Sequence, residues 1–349
     1  MSERKGWIDW ARAIGIWLVV FGHLPGGNVA VTNVIYAFHM PLFFFLSGFL
    51  LKPKSVLETA RFGVSRLLIP YAIFYLITWV WWFFVGFMRH PEIYDHSNFF
   101  QEAFVRPFFG MLLGVGYHTD LSTMINIPLW FLVGVFETSI IFSMLCSLKS
   151  GALVAASVLF LAVGQYFQSR TGADLLWSVD SSIMALPFYA IGYYCSRAKS
   201  LHGVAKVFNA RSGPLAFMAM LGFLSVTVAV AMTNGRVDIN GMVYGNSPIL
   251  FYAGGISGIL AVICLATVLS RIMEPESIIQ VSRGTIVILG LHAAVTGLFL
   301  SIMNAFSLHY NLVISATISC LVLMTCLPLI HFVEMKLPIL NGRRTSSST

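Results

Sequence analysis

The sequence predicts an all-α protein, a polytopic integral membrane bundle of about ten transmembrane helices. Of the 349 residues, 58% are hydrophobic and only 10% are charged, whereas about 25% of the residues in ordinary soluble domains are charged. Apolar runs of about 20 residues, long enough for a helix to cross a bilayer, recur along the chain between short polar links. No stretch alternates polar and apolar residues as a transmembrane β-strand does. The composition therefore excludes a soluble domain.

These runs predict ten spans, and the distribution of basic residues tests their number. The spans cover residues 7–24, 34–51, 67–88, 128–147, 151–168, 181–197, 214–233, 249–271, 284–305 and 312–334. With the N-terminus in the cytoplasm, sixteen of the 21 Lys and Arg residues lie inside, four lie outside and one lies within the first span. Because basic residues collect on the cytoplasmic side, this bias places both termini in the cytoplasm. The net charge of +7 then follows from topology, and we expect no nucleic-acid partner.

The first span, GWIDWARAIGIWLVVFGH, carries three polar residues on one helix face. Arg12 and His23 are eleven residues apart, about 20° past three full turns, and Asp9 precedes Arg12 by three. Eleven residues of helix rise about 16 Å, close to half the ~30 Å hydrocarbon thickness of a bilayer. Charged groups at membrane depth indicate a functional site. The alternative is that Asp9 and Arg12 only neutralise each other while His23 lies among the headgroups.

The N-terminal MSERK and the apolar run after it superficially resemble a signal peptide. Asp9 and Arg12 interrupt the apolar region, and no small-residue cleavage site follows His23, so we expect an uncleaved first span. The five cysteines lie in or beside apolar runs and are expected to be small buried hydrophobes. Their spacing is not typical of a disulfide framework or a metal site.

The second span and the link after it contain candidate contacts to a ligand. His39 lies near the outer end of FHMPLFFFLSGFL, and Ser47 lies deeper. Each is either a packing residue or a substrate contact. The basic link leads through Arg61 and Arg66 into the third span. The positive-inside rule accounts for it without a ligand, but guanidinium groups also bind phosphate in a bidentate manner, so the link is a candidate phosphate clamp.

Two further polar residues lie at membrane depth. Glu137 in the fourth span must be paired or protonated; it orients His23, pairs with Arg12 or is a neutral buried acid. His292 in the ninth span is a second candidate base or a substrate contact, the alternative being a simply hydrogen-bonded histidine.

The outer side holds the remaining candidates. Trp130 stacks on a sugar or belongs to the aromatic belt, and Asp180 binds a sugar hydroxyl or caps the sixth span. The external segment 89–127 is too long for a turn. Its Phe-rich part, 98–116, predicts a re-entrant or interfacial helix pair broken by Pro107.

A metal cluster in the external segment is not expected. The segment contains His96, His118 and Asp120, whose spacing is too loose for a metal site. We therefore predict no metal cofactor.

Several of these motifs, taken in chain order, resemble a known family, the membrane-bound acyltransferase family 3. The resemblance is strongest to its stand-alone sugar O-acetyltransferases, which are similar to fucose 4-O-acetylase, and it runs from the first span to the ninth. It rests on Arg12-x10-His23, FHMPLFFFLSGFL, RLLIPY at 66–71, PLWFL at 128–132 and the pair Leu291-His292.

The resemblance implies a multi-pass enzyme of the bacterial inner membrane. Such an enzyme takes an acyl group, usually acetyl, from cytoplasmic acyl-CoA and places it on a carbohydrate hydroxyl at the outer face, on a polysaccharide or a lipid-linked glycan. In that family the Arg and His that match Arg12 and His23 are essential. Larger members carry an additional extracytoplasmic domain. Here we expect one transmembrane domain over 1–336 and a short polar cytoplasmic tail over 337–349, whose end NGRRTSSST (341–349) is expected to be disordered. These helices or a separate partner therefore complete the transfer.

The chemistry assigns roles to the residues of the polar stripe. Acyl transfer to an alcohol needs a base, and His23 is suited to it, with Asp9, Arg12 and Glu137 as its expected catalytic neighbours. An acyl-His23 intermediate is the alternative. The anionic CoA headgroup is expected to stay cytoplasmic, against the donor-binding residues, while its pantetheine arm enters the bundle. The predicted donor-binding residues are Arg12, Ser47, Arg61 and Arg66, and the predicted acceptor contacts are His39, Trp130, Asp180 and His292.

A non-enzymatic transporter or flippase of a glycan lipid is the alternative class. Its pathway would use Asp9, Arg12, Glu137 and His292. The sequence has no pair of matching Gly/Pro-broken helices in its two halves, and Arg12-x10-His23 occurs once. The prediction is therefore an acyltransferase, with acetyl as the acyl group and succinyl as its alternative.

Overall fold

The computed structural model of the chain describes residues 5–52, 54–89, 99–114, 122–146, 177, 179–197 and 213–342. Within these ranges the regular structure is helical, as predicted, apart from one isolated β-bridge between Asp238 and Val243. The helices are α1 (Gly6–Gly22), α2 (Val29–Leu50), α3 (Val56–Gly63), α4 (Ile69–Arg89), α5 (Arg106–Leu113), α6 (Trp130–Leu145), α7 (Val179–Arg197), α8 (Gly213–Asn234), α9 (Pro248–Ile272), α10 (Glu276–Arg283), α11 (Thr285–Ala305) and α12 (Leu312–Lys336). Short π-helical turns precede α4 (Val64–Leu68) and α5 (Gln101–Val105), and 3-10 turns lie at Ile127–Leu129 and Pro338–Asn341.

Nine of the ten predicted spans coincide with one of these helices, and the span predicted at 151–168 lies outside the described residues. The largest difference is at α2, which begins at Val29 and not at residue 34. The Asn28 side chain accepts the Val31 N–H at 2.8 Å and so caps the helix early. Two helices were not predicted: α3, which begins with a Ser55–Glu58 capping box, and α10.

Seven described helical segments are long and apolar enough to cross a membrane, so the protein is a polytopic membrane protein. They are Val29–Leu50, Val56–Val85, Ile127–Leu145, Gly213–Asn234, Pro248–Ile272, Thr285–Ala305 and Leu312–Lys336. Two more predicted spans form helices that are shorter or more polar, α1 and α7. Helix α1 packs against α2, α9, α10, α11 and α12. This central position surrounds its polar residues with protein.

Helices α2 and α7 approach each other most closely at two glycines. A Cβ atom at Gly48 would collide with the Tyr189 carbonyl oxygen, and one at Gly192 would collide with the Phe45 carbonyl oxygen. At the end of the same pair, the Arg197 guanidinium donates to the Leu51 carbonyl oxygen at 2.7 Å. As expected of small residues in membrane helices, the glycines let the two backbones touch.

The segment before α6 packs lengthwise on the first half of α4. Three aromatic side chains, spaced four residues apart on α4, donate hydrogen bonds to three backbone carbonyls that are also spaced four residues apart. These bonds are Tyr71 to Met111 (2.8 Å), Tyr75 to Pro107 (2.9 Å) and Trp79 to Ala103 (2.9 Å). The residue numbers rise along α4 and fall along the segment. The two helices are therefore antiparallel, and the assignment of this segment as re-entrant or interfacial stays a prediction.

The expectation that Pro107 breaks this segment into a helix pair is wrong within the described residues. The helical stretch is continuous over 99–113. Pro107 lies in the first turn of α5, and the Ala103 carbonyl oxygen, which faces its missing N–H, accepts from the Trp79 indole instead. The π-helical turn before it is closed by the Arg106 N–H, which donates to the Gln101 carbonyl oxygen.

The expectation that the polar end of the chain, 341–349, is disordered is also wrong for its first two residues, Asn341 and Gly342. Residues 337–342 form the 3-10 turn and pack against α4, α11 and α12. Leu340 is buried there. The run LPIL is apolar enough to be buried, although the polar residues after it dominate the composition of the tail. Residues 343–349 lie outside the described part of the chain.

Candidate active site

A large cavity opens at the end of the bundle where the predicted cytoplasmic links meet. Its volume is about 700 Å³. Its wall is built from α1, α2, the link and α3, the π-helical turn before α4, α6, α7, the junction of α10 and α11, and the C-terminal turn. The basic side chains that line it are Arg12, Lys52, Lys54, Arg66 and Arg283. No Asp or Glu is among its described lining residues. We call it the basic cavity, and its charge suits a polyanionic ligand.

The cations differ in depth. Lys52, Lys54, Arg66 and Arg283 are exposed, whereas Arg12 is half-buried on the central helix α1. Asp9, one turn before Arg12, attracts the Arg12 guanidinium electrostatically. The basic cavity therefore has four cations at its mouth and one in its interior.

Phe62 holds two of the mouth cations together. The Lys54 Nζ lies 3.9 Å from the centre of the Phe62 ring, and the Arg66 guanidinium carbon lies 4.7 Å from it. Cation–π attraction to a shared ring offsets the repulsion between the two like charges. Both side chains are thereby directed to the same part of the cavity mouth.

The structure brings three of the four predicted donor-binding residues into this cavity. Arg12, Ser47 and Arg66 line it. Arg61 lies in an adjoining pocket of about 390 Å³, which shares Arg66 with the basic cavity. The Ser47 hydroxyl donates to the Phe43 carbonyl oxygen of its own helix at 2.8 Å, which leaves its oxygen free to accept.

The other end of the α1 polar face carries His23, which directly follows the helix and is exposed. Its Nδ1 lies 2.7 Å from the Val19 carbonyl oxygen. A carbonyl oxygen can only accept, so Nδ1 carries the proton, and in the neutral ring Nε2 keeps its lone pair. The arrangement presents a basic nitrogen at the outer end of the central helix.

Two other predicted histidines flank His23. The rings of His23 and His292 are edge to face, with centres 5.6 Å apart, and His39 interacts electrostatically with His23. Both neighbours are buried and place Nδ1 against backbone carbonyls of their own helices, at 2.9 Å for His39 and 3.0 Å for His292. Among the described residues the His292 Nε2 has no hydrogen-bond partner.

A carboxylate that the sequence did not indicate acts on His23. Asp238, in the loop between α8 and α9, attracts His23 electrostatically. It lies more than 200 residues from His23 along the chain, and neither its spacing nor its neighbours form a motif. The contact arises from tertiary packing alone.

Glu137 contacts α7 and not α1. It accepts a hydrogen bond from the Ser182 hydroxyl at 3.2 Å and interacts electrostatically with Asp180. Of the alternatives for Glu137, pairing with Arg12 and orientation of His23 are not seen among its described contacts. Its catalytic role stays a prediction.

The two remaining acceptor candidates are buried. Trp130 is 5% exposed and packs between Phe44 and Phe131. Asp180, in the first turn of α7, accepts the Ser181 N–H at 2.8 Å. Their contact to a sugar stays a prediction.

The described residues contain no group of three or more His, Cys, Asp or Glu side chains that could hold a metal ion. His96, His118 and Asp120 lie outside the described residues. The candidate site has two parts, one at each end of the polar face of α1. They are the basic cavity, which Arg12 lines, and the cluster of histidines around His23.

Comparison with known proteins identifies the family. The sequence model described as an acyltransferase domain, that of the acyltransferase 3 family, matches residues 5–333. Neither the curated proteins nor the solved structures include a significant match. The matched region contains Arg12, His23 and all the helices except the last three residues of α12. The chain therefore belongs to the acyltransferase 3 family of membrane-bound acyltransferases.

Proposed function

We propose that the protein is a transmembrane O-acyltransferase of the bacterial inner membrane. It moves an acetyl group from cytoplasmic acetyl-CoA to a hydroxyl of a cell-surface polysaccharide or a lipid-linked glycan at the outer face. One observation carries the proposal: α1 presents Arg12 in the basic cavity and an exposed His23 about 16 Å further along the same face. Family membership supports the reaction class.

The donor binds in the basic cavity. The phosphates of CoA interact with Arg66 and the other mouth cations, and Arg61 extends this surface. Arg12, held by Asp9, faces the arm that leads from the headgroup to the thioester. CoA itself stays on the cytoplasmic side, because its charged headgroup does not enter the bilayer.

The acceptor approaches from the side of His23. The His23 Nε2 takes the proton of the sugar hydroxyl while its oxygen attacks the thioester carbonyl carbon. The C–O bond forms, the C–S bond breaks, and the leaving thiolate takes the proton from the imidazolium. His39 and His292, which flank His23, are the acceptor contacts that the geometry supports best.

Purified protein in detergent tests this function with radiolabelled acetyl-CoA and a glycan acceptor. We expect His23→Ala to lower transfer by about 10²- to 10⁴-fold, the usual contribution of a general base, while acetyl-CoA still binds. The matched control is His309→Ala, which removes an exposed histidine of the outer loop. Transfer that persists in His23→Ala contradicts the assignment of the base, and folded wild-type protein that does not bind acetyl-CoA contradicts the donor.

The same preparation separates the two chemical routes. Rapid denaturation in the cold at neutral pH, without an acceptor, preserves an acyl-imidazole, which acid would hydrolyse. Label that is attached to wild-type protein, and is absent from His23→Ala, indicates an acyl-His23 intermediate. Unlabelled protein that transfers acetyl when the acceptor is added indicates direct transfer.

A further inference from the structure

The basic cavity contains a polar side chain that has no partner. Asn341, in the turn after α12, lines the cavity and is only 6% exposed. Within the described part of the chain, neither its Oδ1 nor its Nδ2 makes a hydrogen bond. Ser282, which lines the same cavity, is 2% exposed, and its hydroxyl also lacks a partner there.

Unpaired buried amides are rare in folded proteins, because each one loses its hydrogen bonds to water without replacing them. A side-chain amide has one acceptor atom and one donor atom. Asn341 thus offers a ligand a planar acceptor and donor pair at the wall of a cavity lined with cations.

The backbone fixes Asn341 in this position. The Leu340 N–H donates to the Leu337 carbonyl oxygen at 2.9 Å, and the Gly342 N–H donates to the Ile339 carbonyl oxygen at 3.1 Å. Gly342 has a φ of 63°, and a Cβ atom there would lie 2.6 Å from the Arg66 carbonyl oxygen. Glycine is needed for both reasons. The turn therefore packs directly on the segment that carries Arg66.

We propose that Asn341 is a specificity-determining residue for the donor, and that its amide pairs with a planar donor and acceptor group of acyl-CoA. The inference rests on the proposed function. CoA carries this chemistry in two places: the amides of the pantetheine arm, each with an N–H and a C=O, and the edge of the adenine ring, which an Asn side chain matches with two hydrogen bonds. The mouth cations hold the phosphates that lie between these groups.

Binding to the detergent-purified protein, measured by calorimetry, tests the inference. We expect Asn341→Ala to raise the Kd of acetyl-CoA at least tenfold and to leave kcat at saturating donor nearly unchanged. The matched control is Asn304→Ala, which removes an exposed asparagine. Asn304 lies in the last turn of α11, whereas the first turn of α11 lines the cavity, so the Kd is expected to stay unchanged. Acetyl-pantetheine identifies the group: an equal fold-loss with both donors indicates the arm, and a loss with acetyl-CoA alone indicates adenine.

The unfolding temperature without ligand separates this role from a structural one. Because Asn341 has no described partner, Asn341→Ala is expected to be as stable as wild type or more stable, whereas a structural residue would lower the unfolding temperature. Asn341→Gln, which keeps the amide but moves it, is expected to weaken binding as well. An unchanged Kd for acetyl-CoA in Asn341→Ala overturns the inference and leaves the proposed function intact. Wild-type protein that does not bind acetyl-CoA overturns both.

Discussion

The His23 side chain acts as a cap for the helix that carries it. The His23 backbone N–H donates to the Val20 carbonyl oxygen at 3.2 Å instead of to the Val19 carbonyl. The imidazole Nδ1 donates to the Val19 carbonyl in its place. The contact between Nδ1 and the Val19 carbonyl therefore caps the end of α1 and leaves the lone pair of Nε2 unused. The end of the helix thus fixes the orientation of the proposed base.

This geometry predicts that structure and activity can be separated at His23. An Asn side chain places its amide nitrogen where the His Nδ1 lies, so His23→Asn keeps the cap but has no base. We expect its unfolding free energy to stay within about 1 kcal/mol of wild type, because the exchange keeps a hydrogen bond to the Val19 carbonyl, and one such bond contributes about 0.5–1.5 kcal/mol. Acetyl transfer is expected to fall as far as in His23→Ala. Activity near the wild-type level in His23→Asn would exclude His23 as the base.

The two arginines of the basic link are predicted to contribute unequally to donor binding. Arg66 lines the basic cavity, whereas Arg61 lines only the adjoining pocket. Arg66→Ala is expected to raise the KM for acetyl-CoA about tenfold or more, since hydrogen bonds to charged groups contribute about 1.5–3 kcal/mol. Arg61→Ala is expected to have a smaller effect. Steady-state kinetics at varied acetyl-CoA concentration measure both, and equal effects would contradict the placement of the phosphates at Arg66.

Among the helices, the crossing of α2 and α7 is predicted to be the least tolerant of added volume. Gly48→Ala and Gly192→Ala each place a methyl group against a backbone carbonyl. Overpacking costs about 1–3 kcal/mol, so we expect lower unfolding temperatures in detergent for both variants.

Two other helical glycines provide the control for this prediction. Gly222 of α8 and Gly297 of α11 have no atom of the described residues within 4 Å of an added Cβ. Because Ala is the better helix former by about 0.5–1 kcal/mol, the corresponding Ala variants are expected to match wild type or exceed it. Equal losses at all four positions would show that the crossing is not the cause.

The aromatic hydrogen bonds between α4 and the helical stretch 99–113 predict a local effect. The Tyr75 hydroxyl donates to the Pro107 carbonyl oxygen and lies 3.0 Å from the Thr123 carbonyl oxygen. Tyr75→Phe removes this buried hydroxyl and its hydrogen bond, which is expected to cost about 0.5–1.5 kcal/mol of unfolding free energy. Tyr310→Phe is the control, since the Tyr310 hydroxyl bonds an exposed side chain. Hydrogen exchange of residues 99–113 should rise in Tyr75→Phe, and no rise there would contradict the packing role.

The bundle as a unit has a predicted orientation that chemical labelling can check. In a variant without native cysteines, Asn246→Cys and His309→Cys lie on the predicted outer side, and Leu57→Cys and Lys336→Cys lie on the inner side. All four positions are exposed. A membrane-impermeant maleimide is expected to label the outer pair in intact cells and the inner pair only after permeabilisation. The reverse pattern would invert the orientation and with it the direction of transfer.

Sequence patterns predicted most of the bundle because its spans are long and apolar. Hydropathy located nine helices. The positive-inside rule assigned several links to the cytoplasmic side, and in the structure those links meet at the basic cavity. Helices α3 and α10 were missed because eight residues are too few for a pattern of this kind. Pro107 was misread as a break, since a π-helical turn that accommodates a proline has no signature in the sequence.

The site was predictable where its residues belong to a recognisable motif of a span or of the basic link. The spacing of Arg12 and His23 follows from helical geometry, so their common face could be foreseen. The remaining residues could not be foreseen, because they reach the site from distant parts of the chain. Asp238 interacts with His23 at the outer end, and the basic cavity at the inner end includes Arg283 and Asn341. The signal of Asn341 was masked by the polar residues of the tail, and only its buried, unpaired amide distinguishes it.

The central position of α1 also constrains how the protein is made. Four of the helices that surround α1 lie beyond residue 247, so they leave the ribosome long after α1 does. Until then only α2 of these neighbours is available to shield Arg12, and a charged face in lipid costs several kcal/mol. We therefore expect the first helix to stay at the translocon or at the membrane surface until the last helices complete the basic cavity. Insertion is then expected to end in a late step in which distant segments of the chain close around the first helix.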